Sequence, residues 1–162
     1  MTTTTTDPTH PTESFLRSID IHTLLPQQEP FVMAETLVEY SADTTATETR
    51  IKPTNLFVET DDKGFCVLPS EGLIENIAQT CAARIGYVNR YILKKGVEIG
   101  FIGSVRHFRA TRLPRVGELI RTSVKIEQEI FGMTLATATV ASGKETLAHT
   151  EIKIAVKEGE QV

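Results

Sequence analysis

The chain has 162 residues, a mass of 17.9 kDa, 40% apolar and 23% charged residues, a net charge of −4 and a pI near 5.6. That size fits one domain, which buries roughly two-thirds of its unfolded surface without help from a metal or a disulfide. The acidic balance, with no Lys/Arg cluster, excludes the usual footprint of a nucleic-acid binder, and no apolar run reaches the ~20 residues of a membrane helix.

Thr2 to Thr6, followed by Asp7, Pro8 and Pro11, has nothing to bury. Residues 1–14 are expected to form a disordered Thr-rich tail and residues 15–162 a single domain. The N-terminus lacks the apolar centre of a signal peptide, so a cytoplasmic location is expected. Ser18 to Leu25 predicts a short helical turn with Ile21, Leu24 and Leu25 on one side, stopped by Pro26.

From Phe31 the period becomes two, predicting strands over Phe31–Tyr40 and Thr44–Lys52. Pro53–Leu68 is irregular, with a turn signal at Asp61-Asp62-Lys63-Gly64. Loops of this length are often functional.

One long helical pattern follows. Pro69-Ser70-Glu71 marks its start, with Ser70 as the expected N-cap. Ile74, Ile77, Ala78, Cys81, Ile85 and Val88 repeat at helical spacing as far as Tyr91. Ala78, Ala82, Ala83 and Gly86 make this helix slim enough for a sheet to wrap it closely.

Four strands complete the chain: Glu98–Arg109, Gly117–Phe131, Met133–Ser142 and Leu147–Val156. In the second, Val124, Ile126 and Ile130 are expected on one face. In the fourth, Ile152, Ile154 and Val156 face in, while Glu151, Lys153 and His149 face out. Gly132 and Ser142-Gly143-Lys144 are hairpin turns. The order predicts an α+β fold, a mostly antiparallel sheet against one helix.

Glu75 and Gln79, four residues apart, form a polar pair on the flank of this helix. Spacing alone leaves Glu75 either solvent-facing or a general acid or base held among apolar walls, which would raise its pKa. The first-turn amides, around Ser70 and Glu71, carry partial positive charge suited to a bound carbonyl. Cys66 and Cys81 are expected to be free, buried thiols. Cys81 serves packing, while a Cys66 thiolate near the helix start is a minor nucleophile candidate. No metal-spaced cluster and no phosphate loop exist, so no metal or cofactor is expected. Arg106, Arg109, Arg112 and Arg115, with His107, form a basic strip that is either a solvated edge or a landing site for an acidic carrier protein.

Three segments carry a resemblance. Leu24-Leu-Pro-Gln-Gln-Glu-Pro-Phe31, Leu68-Pro-Ser-Glu-Gly-Leu-Ile-Glu-Asn-Ile-Ala-Gln79, and Gly100-Phe-Ile-Gly-Ser-Val-Arg-His-Phe-Arg109 with Pro114-Arg-Val-Gly-Glu118 occur in this order. Together they resemble the (3R)-hydroxyacyl-[acyl-carrier-protein] dehydratase family, and most closely its divergent aryl-polyene-type members. The resemblance implies a hotdog fold, with the sheet wrapped around the central helix. It also implies a substrate held on the phosphopantetheine arm of acyl carrier protein, and assembly as a homodimer or with another hotdog protein.

The resemblance makes Glu75 the catalytic acid and places Gln79, Ser70, Glu71, Gly103 and Phe101 along the substrate path. It does not supply the base. The family's His lies before the central helix, and Asn55 to Leu68 contains no His. The opening motif's His is replaced by Gln27. Asp61, Asp62, His22 and His107 are the candidate bases that remain. Three functions stay open: dehydratase, non-catalytic acyl-carrier-binding hotdog subunit, and hotdog thioesterase.

Overall fold

The computed structural model describes residues 7–156. Residues 1–6 of the expected tail, and 157–162, lie outside them. The elements run α1 (Glu13–Ser18), a 3-10 turn (Ile21–Thr23), β1 (Thr36–Tyr40), β2 (Thr44–Arg50), β3 (Glu59–Thr60), β4 (Cys66–Val67), α2 (Ser70–Tyr87) with a π-helical extension (Val88–Ile92), β5 (Gly100–Ala110), β6 (Leu119–Ile130), β7 (Met133–Ser142) and β8 (Glu145–Val156). The main sheet is antiparallel, in the order β1-β2-β6-β7-β8-β5. α2 lies against it and touches β1, β2, β5, β6 and β8.

The main core forms where the alternating strands meet the helix. Leu73, Ile77 and Cys81 pack on Ile120, Val124, Ala136, Ala138, Val140, Leu147, Ile152 and Ile154. Ala136 and Ala138 are fully buried, and their small side chains let the helix lie close to the middle of the sheet. On the other side of α2, Gly86 meets the 3-10 turn. A Cβ there would sit on the Leu24 carbonyl, so only glycine permits this approach.

Several expectations change. α1 begins at Glu13, capped by the Thr12 hydroxyl, and the Tyr87 hydroxyl donates to the Pro8 carbonyl at 2.6 Å. Folded contacts therefore reach into residues assigned to the tail. β1 begins at Thr36, not Phe31, because side chains of α2 capture the backbone of Phe31 and Met33. The irregular segment holds the short β3/β4 hairpin, closed by Asp61 Oδ1 accepting from the amides of Lys63 and Phe65. Ile130 does not face the core and is 54% exposed. A bulge between Ile126 and Gln128 breaks the alternation ahead of it. Ser70 is not the N-cap of α2; Pro69 holds that position and makes no side-chain capping bond. Cys81 is buried, and burial pushes its thiol up to about 12. Cys66 is exposed on β4, which corrects the expectation of a second buried thiol.

Candidate active site

α2 buries polar residues on the stripe that faces the Thr-rich β2. Asn76, Thr80 and Arg84 are at most 7% exposed. Asn76 Nδ2 donates to the Met33 carbonyl (2.8 Å) and to Thr49 Oγ1 (3.3 Å), and Asn76 Oδ1 accepts from the Thr122 hydroxyl. Thr80 pairs with Thr47 at 2.8 Å. Arg84 has no carboxylate partner among the described residues. Its guanidinium is caged by the carbonyls of Ser41, Ala42 and Thr44 and by Thr45 Oγ1. This stripe is polar and buried because each hydrogen-bonding group meets its complement.

The neighbouring stripe of α2 faces a cleft of about 250 Å³. Glu75, Ala78, Ala82 and Ile85 form one wall, Gly100, Phe101, Ile102 and Ile154 another, and Gln27 and Glu98 complete it. The alanines leave the room that a longer side chain would fill. Glu75 is half-buried at this cleft and accepts a 2.9 Å hydrogen bond on Oε1 from Gln79 Nε2.

Gln79 is fully buried and its amide orientation is fixed. Its Oε1 accepts from the Met33 amide (2.6 Å), so its Nε2 must face Phe31 O (2.8 Å) and Glu75. A backbone N–H can only donate, so Gln79 cannot turn round. Glu75 therefore keeps Oε1 as an acceptor toward Gln79, while its Oε2 has no protein partner among the described residues. That is the arrangement a general acid needs.

The other candidate residues separate from this cleft. Ser70 and Glu71 occupy the first turn of α2 and do not line it. Phe101 does line it, while Gly103 is exposed at the β5 bulge between Ile102 and Ser104. Asp61 and Asp62 line a separate cleft with Phe65, Arg112 and Arg115.

His22 bridges Asp20 Oδ1 (2.7 Å) and Glu29 Oε1 (2.8 Å) beside a third cleft. Its hydrogen bonds to Glu29 and then to Asp20 raise its pKa. His107 is exposed on β5 at a φ of 53°. None of the four candidate bases lines the Glu75 cleft. In the basic strip, Arg112 is neutralised by Glu118 (2.7 Å) and Glu145 (2.8 Å), which leaves Arg106 and Arg109 on β5 without an ion pair among the described residues.

Sequence reasoning missed Gln27 and Glu98 as cleft residues. Glu98 is tied to Lys95 (2.5 Å) and Asn89 (3.2 Å). Among the described residues no group of three or more His, Cys, Asp or Glu side chains is placed to hold a metal ion, and no helix is long and apolar enough to cross a membrane.

Residues 19–161 match the ApeP-like family, described as ApeP dehydratase. The chain belongs to the ApeP-like dehydratase family. No protein of curated function matches it in sequence.

Among solved structures, this family member is similar to the dehydratase heterocomplex ApeI:P from Xenorhabdus doucetiae, with a TM-score of 0.79 and 15% identity over 88% of this chain and 94% of that one. It is also similar to Cj0977 of Campylobacter jejuni, a sigma28-regulated virulence protein, with a TM-score of 0.64 and 10% identity over 90% of each chain. A hypothetical thioesterase of Streptococcus pneumoniae solved with coenzyme A gives a TM-score of 0.55 and 6% identity, over 75% of this chain and 84% of that one. At these identities the structures share the fold, which is the hotdog arrangement, and fold alone does not carry an activity.

Proposed function

We propose that this ApeP-like chain acts in the cytoplasm on 3-hydroxyacyl thioesters borne by acyl carrier protein, and that Glu75 is its catalytic acid. The observation that carries this reading is the Glu75 carboxyl at an apolar-walled cleft, with one oxygen held by Gln79 and the other left for a ligand.

In the proposed reaction, protonated Glu75 gives its Oε2 proton to the substrate hydroxyl. The C3–O bond breaks with its electron pair on oxygen, and water leaves. The C2–H electrons form the C2=C3 bond as the C2 proton passes to a base. An imidazole or carboxylate of a second hotdog chain is that base. Two features support this assignment. No histidine lines the cleft. β5, which forms one wall, is an edge strand whose outer side pairs with no described strand. Around it Val97, Ile99, Phe101 and Ile102 are 42–53% exposed, an apolar surface suited to a partner subunit. That the similar ApeI:P protein is a dehydratase heterocomplex supports a second subunit beside this chain. Arg106 and Arg109, also on β5, offer the charge to receive an acidic carrier.

The absence of a histidine from the cleft also favours a second reading, in which the chain only holds acyl carrier protein for an active partner. Mass spectrometry of 3-hydroxyacyl carrier protein separates the two. The chain is incubated alone and with a co-expressed hotdog dehydratase. Loss of one water that disappears with Glu75→Gln in this chain supports the proposal. Loss that survives Glu75→Gln rejects Glu75 as the acid, and if it occurs only with the partner present it leaves this chain the binding role. Release of free acid and thiol, with no dehydration, overturns both in favour of a thioesterase.

A further inference from the structure

The turn Gln28–Phe31 is exposed, yet it carries a carbonyl that the Glu75 site uses. It closes on itself through the Phe31 amide and the Gln28 carbonyl (2.9 Å). Among the described residues two side chains tie this turn to the rest of the protein. Gln79 Nε2, which also holds Glu75, donates to the Phe31 carbonyl (2.8 Å), and His22 Nε2 meets Glu29 Oε1 (2.8 Å). The first tether is neutral and the second depends on a proton.

His22 stands on a firm base. Its 3-10 turn begins with Asp20, whose Oδ1 accepts from the His22 amide (3.0 Å), and Leu24, just past its end, lies against Gly86 of α2. Asp20 Oδ1 also meets His22 Nδ1 at 2.7 Å. Both ring nitrogens thus face carboxylate oxygens, which at neutral pH only accept. A neutral imidazole carries one N–H, so the two bonds coexist only in the imidazolium. The other charged side chains of this cleft are engaged elsewhere. Lys52 pairs with Glu35 (3.2 Å), and Arg50 donates to the Gly117 carbonyl (2.8 Å).

We propose that His22 is a positioning residue of the Glu75 site: its imidazolium ties the Gln28–Phe31 turn to the 3-10 turn, and so keeps the Phe31 carbonyl where Gln79 holds it and Glu75 together. The inference rests on the dehydratase reading above and adds regulation by pH to the same site. Glu29 first, then Asp20, raises the pKa of the ring. The bridge is therefore complete at low pH and is lost as pH rises through the titration of folded His22. A deprotonated ring keeps one bond. If it keeps Asp20, Glu29 is released; if it keeps Glu29, the ring loses the partner that fixes its orientation. Either way the turn is left mainly to Gln79, and the seat of Glu75 loosens with it.

The first arm of the test needs no substrate. The Met33 amide donates to Gln79 Oε1 (2.6 Å), so its hydrogen exchange, followed by NMR and corrected for the base catalysis of free peptide exchange, reports how well that seat is kept. In wild type its protection should fall by about 2- to 5-fold as the His22 ring titrates in the same sample, the usual worth of an exposed ion pair. His22→Arg offers a planar fork to both carboxylates and keeps its charge throughout, so its protection should stay high across the range. His22→Gln should stay flat at the lower level. No fall in wild type, or an equal fall in His22→Arg, overturns the tether.

The second arm measures kcat on 3-hydroxyacyl carrier protein, with the partner subunit present if the protein purifies with one. Glu75 titrates in every variant, so the ratio of His22→Arg to wild type isolates His22. That ratio should rise by about the same 2- to 5-fold across the titration of His22. A constant ratio overturns the link from His22 to Glu75. Absence of turnover in both proteins overturns the dehydratase reading instead, and the exchange arm still decides the tether.

Discussion

Two adjacent stripes of α2 differ in a way that inverts the usual amphipathic helix. The stripe against β2 and β6 carries Asn76, Thr80 and Arg84, and it is buried. The stripe beside it carries Ala78, Ala82 and Ile85, and it lines an open cleft. On the buried stripe each polar side chain finds its complement, down to the bare guanidinium in its cage of carbonyls. Along the cleft stripe hydrogen bonding is less complete: among the described residues Glu75 has a protein partner on one carboxyl oxygen only, Gln27 across the cleft carries an enclosed acceptor without a partner, and space remains where side chains would ordinarily interlock. Completed hydrogen bonding marks the part of the helix that holds the fold. Incomplete hydrogen bonding marks the part that lines the cleft.

The contrast is broken most sharply by substitutions that should damage one stripe and spare the other. Glu75→Gln should lower turnover on 3-hydroxyacyl carrier protein by about 10²–10⁴-fold, the range for a lost general acid. It should leave Tm within a degree or two, and a large fall in Tm would put Glu75 on the structural side.

Asn76→Leu should do the reverse. It orphans the Met33 carbonyl and the hydroxyl of Thr122, at a cost of about 3 kcal/mol in denaturant unfolding. Gly86→Ala tests how tightly the helix must seat. The new Cβ would strike the Leu24 backbone carbonyl, and overpacking of this kind costs about 2 kcal/mol. An unchanged midpoint would mean that the 3-10 turn moves freely.

The smallest effect lies far from α2. Arg112, with the Arg115 amide and Ser142, holds the Glu118 carboxyl down at about 2, against an ordinary value of 4.5. A depressed carboxylate stabilises the fold above its unfolded pKa and loses that contribution as pH falls toward the folded value. Glu118 should therefore contribute about 1 kcal/mol above pH ~5, after allowance for solvent screening, and progressively less between there and pH ~2. Comparing unfolding of wild type and Glu118→Gln across that range reads it directly, and a pH-independent difference would discount the pair.

The long helix and the four C-terminal strands were legible because their apolar residues keep strict periods. Ile152 and Ile154 are buried and His149 exposed, as alternation requires. Alternation failed at Ile130 because a bulge is a property of strand pairing, not of composition. Strand reading failed at Phe31–Glu35 because helix side chains 43 to 48 residues away take over that backbone. In the site, Glu75 and Gln79 could be paired by their spacing. The orphaned state of Gln27 could not, since the lack of a partner is visible only once all neighbours are placed. The buried cation at Arg84 was hidden for the same reason: its partners are main-chain carbonyls, which every sequence contains.

The two thiols differ in one further respect that has a practical use. Cys81 is sealed inside the core, while Cys66 stands in the open on β4, three residues ahead of Pro69 at the head of α2. A maleimide dye would thus attach at a single known point without any engineered cysteine. Native protein could then be followed by fluorescence as candidate partners are added.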